Sequence, residues 1–126
     1  MDAIQAALKK DRLVDISTIG RRSGEVHRIE IAFHLVDDQI YLTGRPRRRD
    51  WLANMKTHPQ FTFHLKQSAQ LDIPALAIPI ADEAERRAIL TKILAEMEES
   101  QGDLESWVAG SPLVRVELLP VENTQE

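Results

Sequence analysis

The chain has 126 residues, 43% of them apolar and 29% charged, with no cysteine and a formal net charge of −4. That length suits one compact domain and is too short for two of ordinary size, and the missing cysteine excludes disulfides, thiol nucleophiles and thiolate metal sites. No run approaches the ~20 apolar residues of a membrane span, and Met1 to Lys10 holds no apolar signal-peptide core, so a cytoplasmic protein is expected.

Residues 2–11 read as a brief helix, and Leu13 to Ile19 as a strand. Ser23-Gly24 signals a turn. Val26 to Val36 alternates most clearly, with Ile29, Ile31, Phe33 and Leu35 expected inward and Arg28, Glu30 and His34 outward. Asp37-Asp38 is a tight turn, and Ile40 to Thr43 is the return strand of a hairpin. Gly44 to Arg49 is a loop, after which Asp50 is expected to cap a helix over Trp51 to Thr57, ended by Pro59. Trp51, Leu52 and Met55 would face the core.

Phe61 to Lys66 alternates again, and Leu71 to Ile80 is a further strand in which Pro74 implies an edge or a bulge. Asp82 to Glu99 is an amphipathic helix with Asp82 as cap and an apolar stripe of Leu90, Ile93, Leu94 and Met97. A short helix from Leu104 to Val108 and a strand from Leu113 to Leu119 complete the order. Hairpins dominate and no βαβ alternation appears, so the expected fold is mainly β (α+β), a small antiparallel barrel with appended helices. It forms one domain over residues 1–120, followed by a loose tail at 121–126.

Charge is unevenly placed. Residues 1–81 carry 12 basic and 9 acidic side chains, whereas residues 82–126 carry 4 and 11. Seven of the 16 Lys and Arg residues fall between Arg21 and Arg49, in two clumps: Gly20-Arg21-Arg22-Ser23-Gly24 and Arg45-Pro46-Arg47-Arg48-Arg49. The clumps sit just before and just after a pair of strands. If both loops lie at one end of a sheet, they form one cationic pocket. Arginine presents a charged fork of donors that matches phosphate and carboxylate oxygens. A local basic pocket in an acidic body suits a small anionic ligand better than nucleic acid, whose nonspecific binding needs many distributed phosphate contacts. The second loop leads into a helix start, but a capping Asp50 would already take the helix N–H groups, so the arginines are expected to hold the anion.

The four histidines, at 27, 34, 58 and 64, show no metal-ligand spacing, and His27 shares the parity of the inward residues at the strand's mouth. No Ser-His-Asp set, Walker loop or GxGxxG stands out. Trp51 reads as a core anchor. Trp107, on the late short helix, reads either as core or as a wall of a substrate pocket.

Taken in order, Ser17-Thr18-Ile19-Gly20-Arg21-Arg22-Ser23-Gly24, His27-Arg28-Ile29-Glu30-Ile31, Ile40-Tyr41-Leu42-Thr43-Gly44 and Arg49-Asp50-Trp51-Leu52-Ala53-Asn54-Met55 with His58-Pro59 resemble the deazaflavin-dependent nitroreductase family. That family belongs to the flavin/deazaflavin oxidoreductase split-barrel superfamily. The resemblance covers residues 13–66 well and extends weakly to Trp107. It implies an FMN-binding-like split β-barrel that binds coenzyme F-420, a carrier with an anionic phosphate and oligoglutamate tail. It further implies hydride transfer from the reduced coenzyme to a small conjugated acceptor such as a quinone, enone or nitro compound.

By position, Arg21 and Arg22 match the family's cationic pair, His27 falls where some members place another cation, and Thr43 and Gly44 match strand-end contacts near the coenzyme. Together with Thr18, Ser23, Arg45, Arg47, Arg48 and Arg49 they form the expected cofactor set, with Trp107 in the substrate pocket. No catalytic side chain and no metal is expected, because the coenzyme carries the chemistry. Departures from the pattern, with Tyr41 the lone tyrosine, Gln101, Gly102 and Leu104 ahead of the late tryptophan, and Ala32 in place of a larger aromatic, weigh against nitroimidazole reduction. The same barrel using FMN, a noncatalytic flavin or deazaflavin carrier, and a nucleic-acid binder stay open as alternatives, the last weakened by an aromatic content of 5%. Monomer and homodimer both remain open.

Overall fold

The computed structural model describes residues 2–97 and 103–120. The expected tail at 121–126, the end of the helix expected to reach Glu99, and Gln101 and Gly102 lie outside the described residues. The elements are α1 (Asp2–Lys10), β1 (Leu13–Ile19), β2 (Val26–Val36), β3 (Gln39–Thr43), α2 (Asp50–Thr57), β4 (Gln60–Leu65), β5 (Leu71–Pro79), α3 (Glu83–Glu96), α4 (Leu104–Gly110) and β6 (Leu113–Leu118). The strands close an antiparallel barrel in the order β1-β2-β3-β6-β5-β4. No helix among the described residues is long and apolar enough to cross a membrane.

Two cores hold the molecule. Inside the barrel, Val14, Ile16, Phe33, Leu42, Phe63, Ile73 and Val114 interdigitate, with Leu8 of α1 and Trp51 and Met55 of α2 packed in the same cluster. The Phe33 and Phe63 rings meet edge to face at 5.9 Å. Outside β2, β3 and β6 a second cluster joins Val36, Tyr41 and Leu113 to Ile89, Leu90 and Ile93 of α3 and Trp107 of α4. Each such fully buried aliphatic side chain contributes about 1.5–3 kcal/mol.

Local chemistry sets the connections. Asp37 (φ 53°) and Asp38 (φ 66°) both adopt the left-handed conformation that a two-residue hairpin of matching twist requires. Asp82 caps α3, its carboxylate accepting from the Glu85 N–H at 2.9 Å. Pro74 lies within β5 where β6 runs out. Its carbonyl accepts from Leu119 N–H at 2.8 Å, so its missing N–H falls beyond the last strand residue, Leu118.

Two expectations need correction. Ile29 keeps the inward face, opposite Ile16, but is 40% exposed rather than buried, and Val26 is 64% exposed. The cause is pairing: residues 26–32 of β2 bond only to β1, whereas β3 pairs with Phe33–Val36 alone. The outer arm of β2 therefore has a bare edge, and the barrel is split there. Asp50 does not cap α2. Arg49 holds the extended N-cap conformation (φ −133°, ψ 133°), and no side chain bonds to the cap. Asp50 is the first helical residue, its side chain 91% exposed and turned toward Arg21. The helix N-terminus is thus not taken up by a capping carboxylate.

Candidate functional site

The split beside β2 opens into a cavity of ≈ 940 Å³, and both arginine clumps reach it. The β1–β2 turn contributes Arg21, Arg22 and Ser23, and the loop into α2 contributes Arg47, Arg48 and Arg49. Thr18, His27 and Thr43 also line it, with Ile29, Ile31 and Trp51 as apolar wall. Gly44, Arg45 and Trp107 are not among its lining residues. Trp107 is 1% exposed and sits in the outer core between α3 and α4, away from the cavity.

The turn is built to fold tightly. Gly24 takes φ +76°, and its N–H reaches the Gly20 carbonyl at 2.9 Å. A Cβ on Gly20 would lie 2.6 Å from Ser23 Oγ and 2.8 Å from His27 Nε2, so only glycine lets these side chains close over the turn. Ser23 Oγ accepts from the Glu25 N–H at 3.0 Å, which commits part of its capacity to the turn itself.

Asn54 fastens this turn to α2. Its Oδ1 accepts from Arg21 N–H at 3.1 Å and from Arg21 Nη1 at 2.9 Å, while its Nδ2 donates to Thr18 Oγ1 at 3.2 Å. Asn54 is 4% exposed, so these bonds are made away from water. In the sequence Asn54 stands out only within the Arg49–Met55 run that carries the family resemblance. An amide on a short helix gives no local sign that it bridges residues more than thirty positions earlier.

Arg49 is the most telling group. Its Nη2 donates to the Arg45 carbonyl at 2.9 Å, which folds the guanidinium back against the loop. Gly44 makes room for it, since a Cβ there would lie 2.8 Å from Arg49 Nη2. Its Nε is buried and has no hydrogen-bond partner. Burial, with the Arg47 charge beside it, lowers its pKa from the ordinary guanidinium value. A buried guanidinium donor without an acceptor is costly. An anion entering the cavity would supply the missing acceptor.

The local balance of charge is positive. Of the two carboxylates lining the cavity, Asp50 lies 3.4 Å from Arg21 and Glu30 lies 2.5 Å from Lys66. The other four lining arginines form none of the ion pairs found among the described residues. Thr43 Oγ1 donates its proton to the Pro112 carbonyl at 2.5 Å and so has only lone pairs to offer. Thr18 Oγ1 accepts from Asn54 and keeps its own proton. These donors fit a phosphate or polycarboxylate, and the apolar wall fits a flat ring beside it.

A family model described as F420H(2)-dependent quinone reductase matches residues 3–118. No curated protein matches the chain. Among solved structures, a candidate pyridoxamine 5′-phosphate oxidase from Listeria innocua superposes with TM-score 0.72 at 12% identity, over 99% of this chain and 98% of that one. A candidate 5-nitroimidazole antibiotic resistance protein from Bacteroides thetaiotaomicron gives 0.71 at 12% identity, over 93% and 78%. A FAD-binding protein from Mesorhizobium loti gives 0.62 at 14% identity, over 92% and 87%. At such identities these structures speak for the fold alone, a split β-barrel with appended helices that this chain shares.

Proposed function

The chain belongs to the F420H(2)-dependent quinone reductase family, and on that premise we propose that its split-side cavity binds reduced F-420 by its anionic tail and presents it to a small quinone. The family makes the chain an F-420-dependent reductase.

The observation that carries the reading is the buried, unpartnered Nε of Arg49 in a cavity that four further arginines line. Arg47, Arg48 and Arg49 would hold the phosphate and glutamate carboxylates, with the uncapped start of α2 adding its dipole. Arg21 and Arg22 would close over the other side. When bound, the reduced deazaflavin supplies the hydride, and that chemistry is the coenzyme's own. The protein's share is orientation and exclusion of water. Ile29, Ile31 and Trp51 offer the apolar surface against which a flat acceptor can lie. Of the two threonines, Thr18 alone retains a proton to donate toward a developing oxyanion.

Fluorescence titration with F-420, followed by oxidation of the reduced coenzyme by menadione, tests this. Arg49→Gln, and separately Arg21→Ala with Arg22→Ala, should each weaken binding at least tenfold, about 1.4 kcal/mol. Unchanged affinity in both would refute the assignment of the cavity. Binding of FMN in preference to F-420 would move the reading to a flavin enzyme, and binding without menadione turnover would leave a carrier.

A further inference from the structure

Helices α3 and α4 cover the barrel over β2, β3 and β6, and β1, β4 and β5 form the part of the barrel away from that cover. There Ser17 Oγ lies 2.7 Å from His64 Nε2, and His64 Nδ1 lies 2.8 Å from Asp72 Oδ1. The three residues come from three adjacent strands, β1, β4 and β5. His64 is only 6% exposed, whereas the Asp72 side chain is 75% exposed. We propose that Ser17, His64 and Asp72 form a second, hydrolytic site in which Ser17 is an activated nucleophile toward small, unhindered carboxylic esters.

Hydrogen-bond roles follow from the partners. An ionised carboxylate only accepts, so His64 Nδ1 carries the proton toward Asp72. In the neutral imidazole Nε2 is then an acceptor, and the Ser17 hydroxyl must donate to it. Nucleophile, base and orienting carboxylate thus stand in the order that acyl transfer requires. The bond to His64 also holds the Asp72 carboxyl below its ordinary value, which keeps it ionised.

The neighbours of Ser17 supply what the backbone cannot. Strand β1 pairs with both β2 and β4, so its N–H groups serve the ladder. Arg28 stands opposite Ser17 on one side and Thr62 on the other, and cross-strand partners share a face. Arg28 Nε donates to Asp15 Oδ2 at 3.0 Å, which holds the guanidinium on the face that Asp15 and Ser17 share. A developing oxyanion would be stabilised by these side chains.

In the reaction, Ser17 Oγ bonds to the acyl carbon as its proton passes to His64 Nε2. The ester C–O bond breaks, and the departing alcohol takes that proton. Water then attacks the acyl-serine, His64 accepting its proton and returning it to Ser17 Oγ as the carboxylic acid leaves. Asp72 only orients the imidazole and so is a positioning residue. The site is distinct from the arginine cavity and does not depend on the coenzyme reading.

Diisopropyl fluorophosphate tests the proposal on the full chain, with peptide mapping of the modified serine. Ser17 should react at least tenfold faster than Ser23, Ser68 and Ser106 in the same molecule. Labelling should vanish in Ser17→Ala and fall at least tenfold in His64→Gln. Hydrolysis of 4-nitrophenyl acetate should fall with it. If His64→Gln fails to fold, Asp72→Asn, at an exposed side chain, carries the test with an expected fall of at least fivefold. Labelling of Ser17 no faster than of the other serines, or undiminished in the folded His64 or Asp72 variant, would overturn it and leave a hydrogen-bonded staple between strands.

Discussion

Replacing Asn54 by alanine removes one acceptor and one donor from a site that is 4% exposed. Three hydrogen bonds are lost, two from Arg21 and one to Thr18. Each buried partner left unsatisfied costs about 1–3 kcal/mol. The Arg21 side chain is 26% exposed and can turn to water, so its share is discounted. A net loss of about 2–4 kcal/mol remains. At roughly 2.1 cal/mol/K per residue, the unfolding entropy of such a chain is about 0.26 kcal/mol/K, so Tm should fall by about 8–15 °C. Coenzyme affinity should drop at least fivefold as the arginine turn loosens. Asn54→Asp separates fold from charge: its carboxylate can still accept from Arg21 and Thr18, so it should melt above Asn54→Ala. Its negative charge beside the cavity should make it bind the coenzyme more weakly than Asn54→Ala does. Calorimetry and fluorescence titration read the two effects. An alanine variant melting within about 2 °C of the parent, or an aspartate variant binding as tightly as the parent, would refute the reasoning.

Other consequences are as direct. Gly44→Ala places a Cβ 2.8 Å from the guanidinium end of Arg49, so coenzyme affinity should fall severalfold while Tm holds within about 3 °C, measured by titration and calorimetry. Arg86 donates to the carbonyls of Ile80, Trp107, Val108 and Ser111, tying α3 to α4, and burial lowers its pKa. Arg86→Lys cannot span these acceptors and should cost about 2–4 kcal/mol in urea unfolding. Asp15 is held below its ordinary value of 3.8, first by the hydrogen bond from Lys66 and then by Arg28. A depressed carboxyl contributes stability that is complete above its unfolded value and is lost as pH falls through the folded one. Urea midpoints of the parent and Asp15→Asn should therefore differ at about pH 6 and converge toward about pH 2.5.

The barrel was legible because its strands alternate cleanly and its turns use residues with local reasons. The Asp37-Asp38 hairpin and the Asp82 cap are examples. Ile29 is more exposed than its pattern suggests because period-two alternation reports which face a side chain takes, not whether a neighbouring strand covers that stretch. Asp50 is a helical residue and not a cap because the helix begins one residue earlier than its carboxylate suggests, and a cap lies in backbone geometry that composition does not carry. The two arginine clumps were visible as charge, yet their meeting depends on the split beside β2. Trp107 lies in the outer core because α4 packs it against α3, a contact between separate segments. The Ser17, His64 and Asp72 array was invisible for the same reason: strand register alone brings these residues together.

Guanidinium groups that grip an anionic tail should distinguish intact F-420 from its ring-and-ribityl fragment lacking phosphate and glutamates. Parallel fluorescence titrations of the unmodified chain should find the intact coenzyme at least a hundredfold tighter, about 2.7 kcal/mol, with the gap shrinking as salt rises. Equal affinity for the two molecules would contradict the anion-holding role given to the arginines.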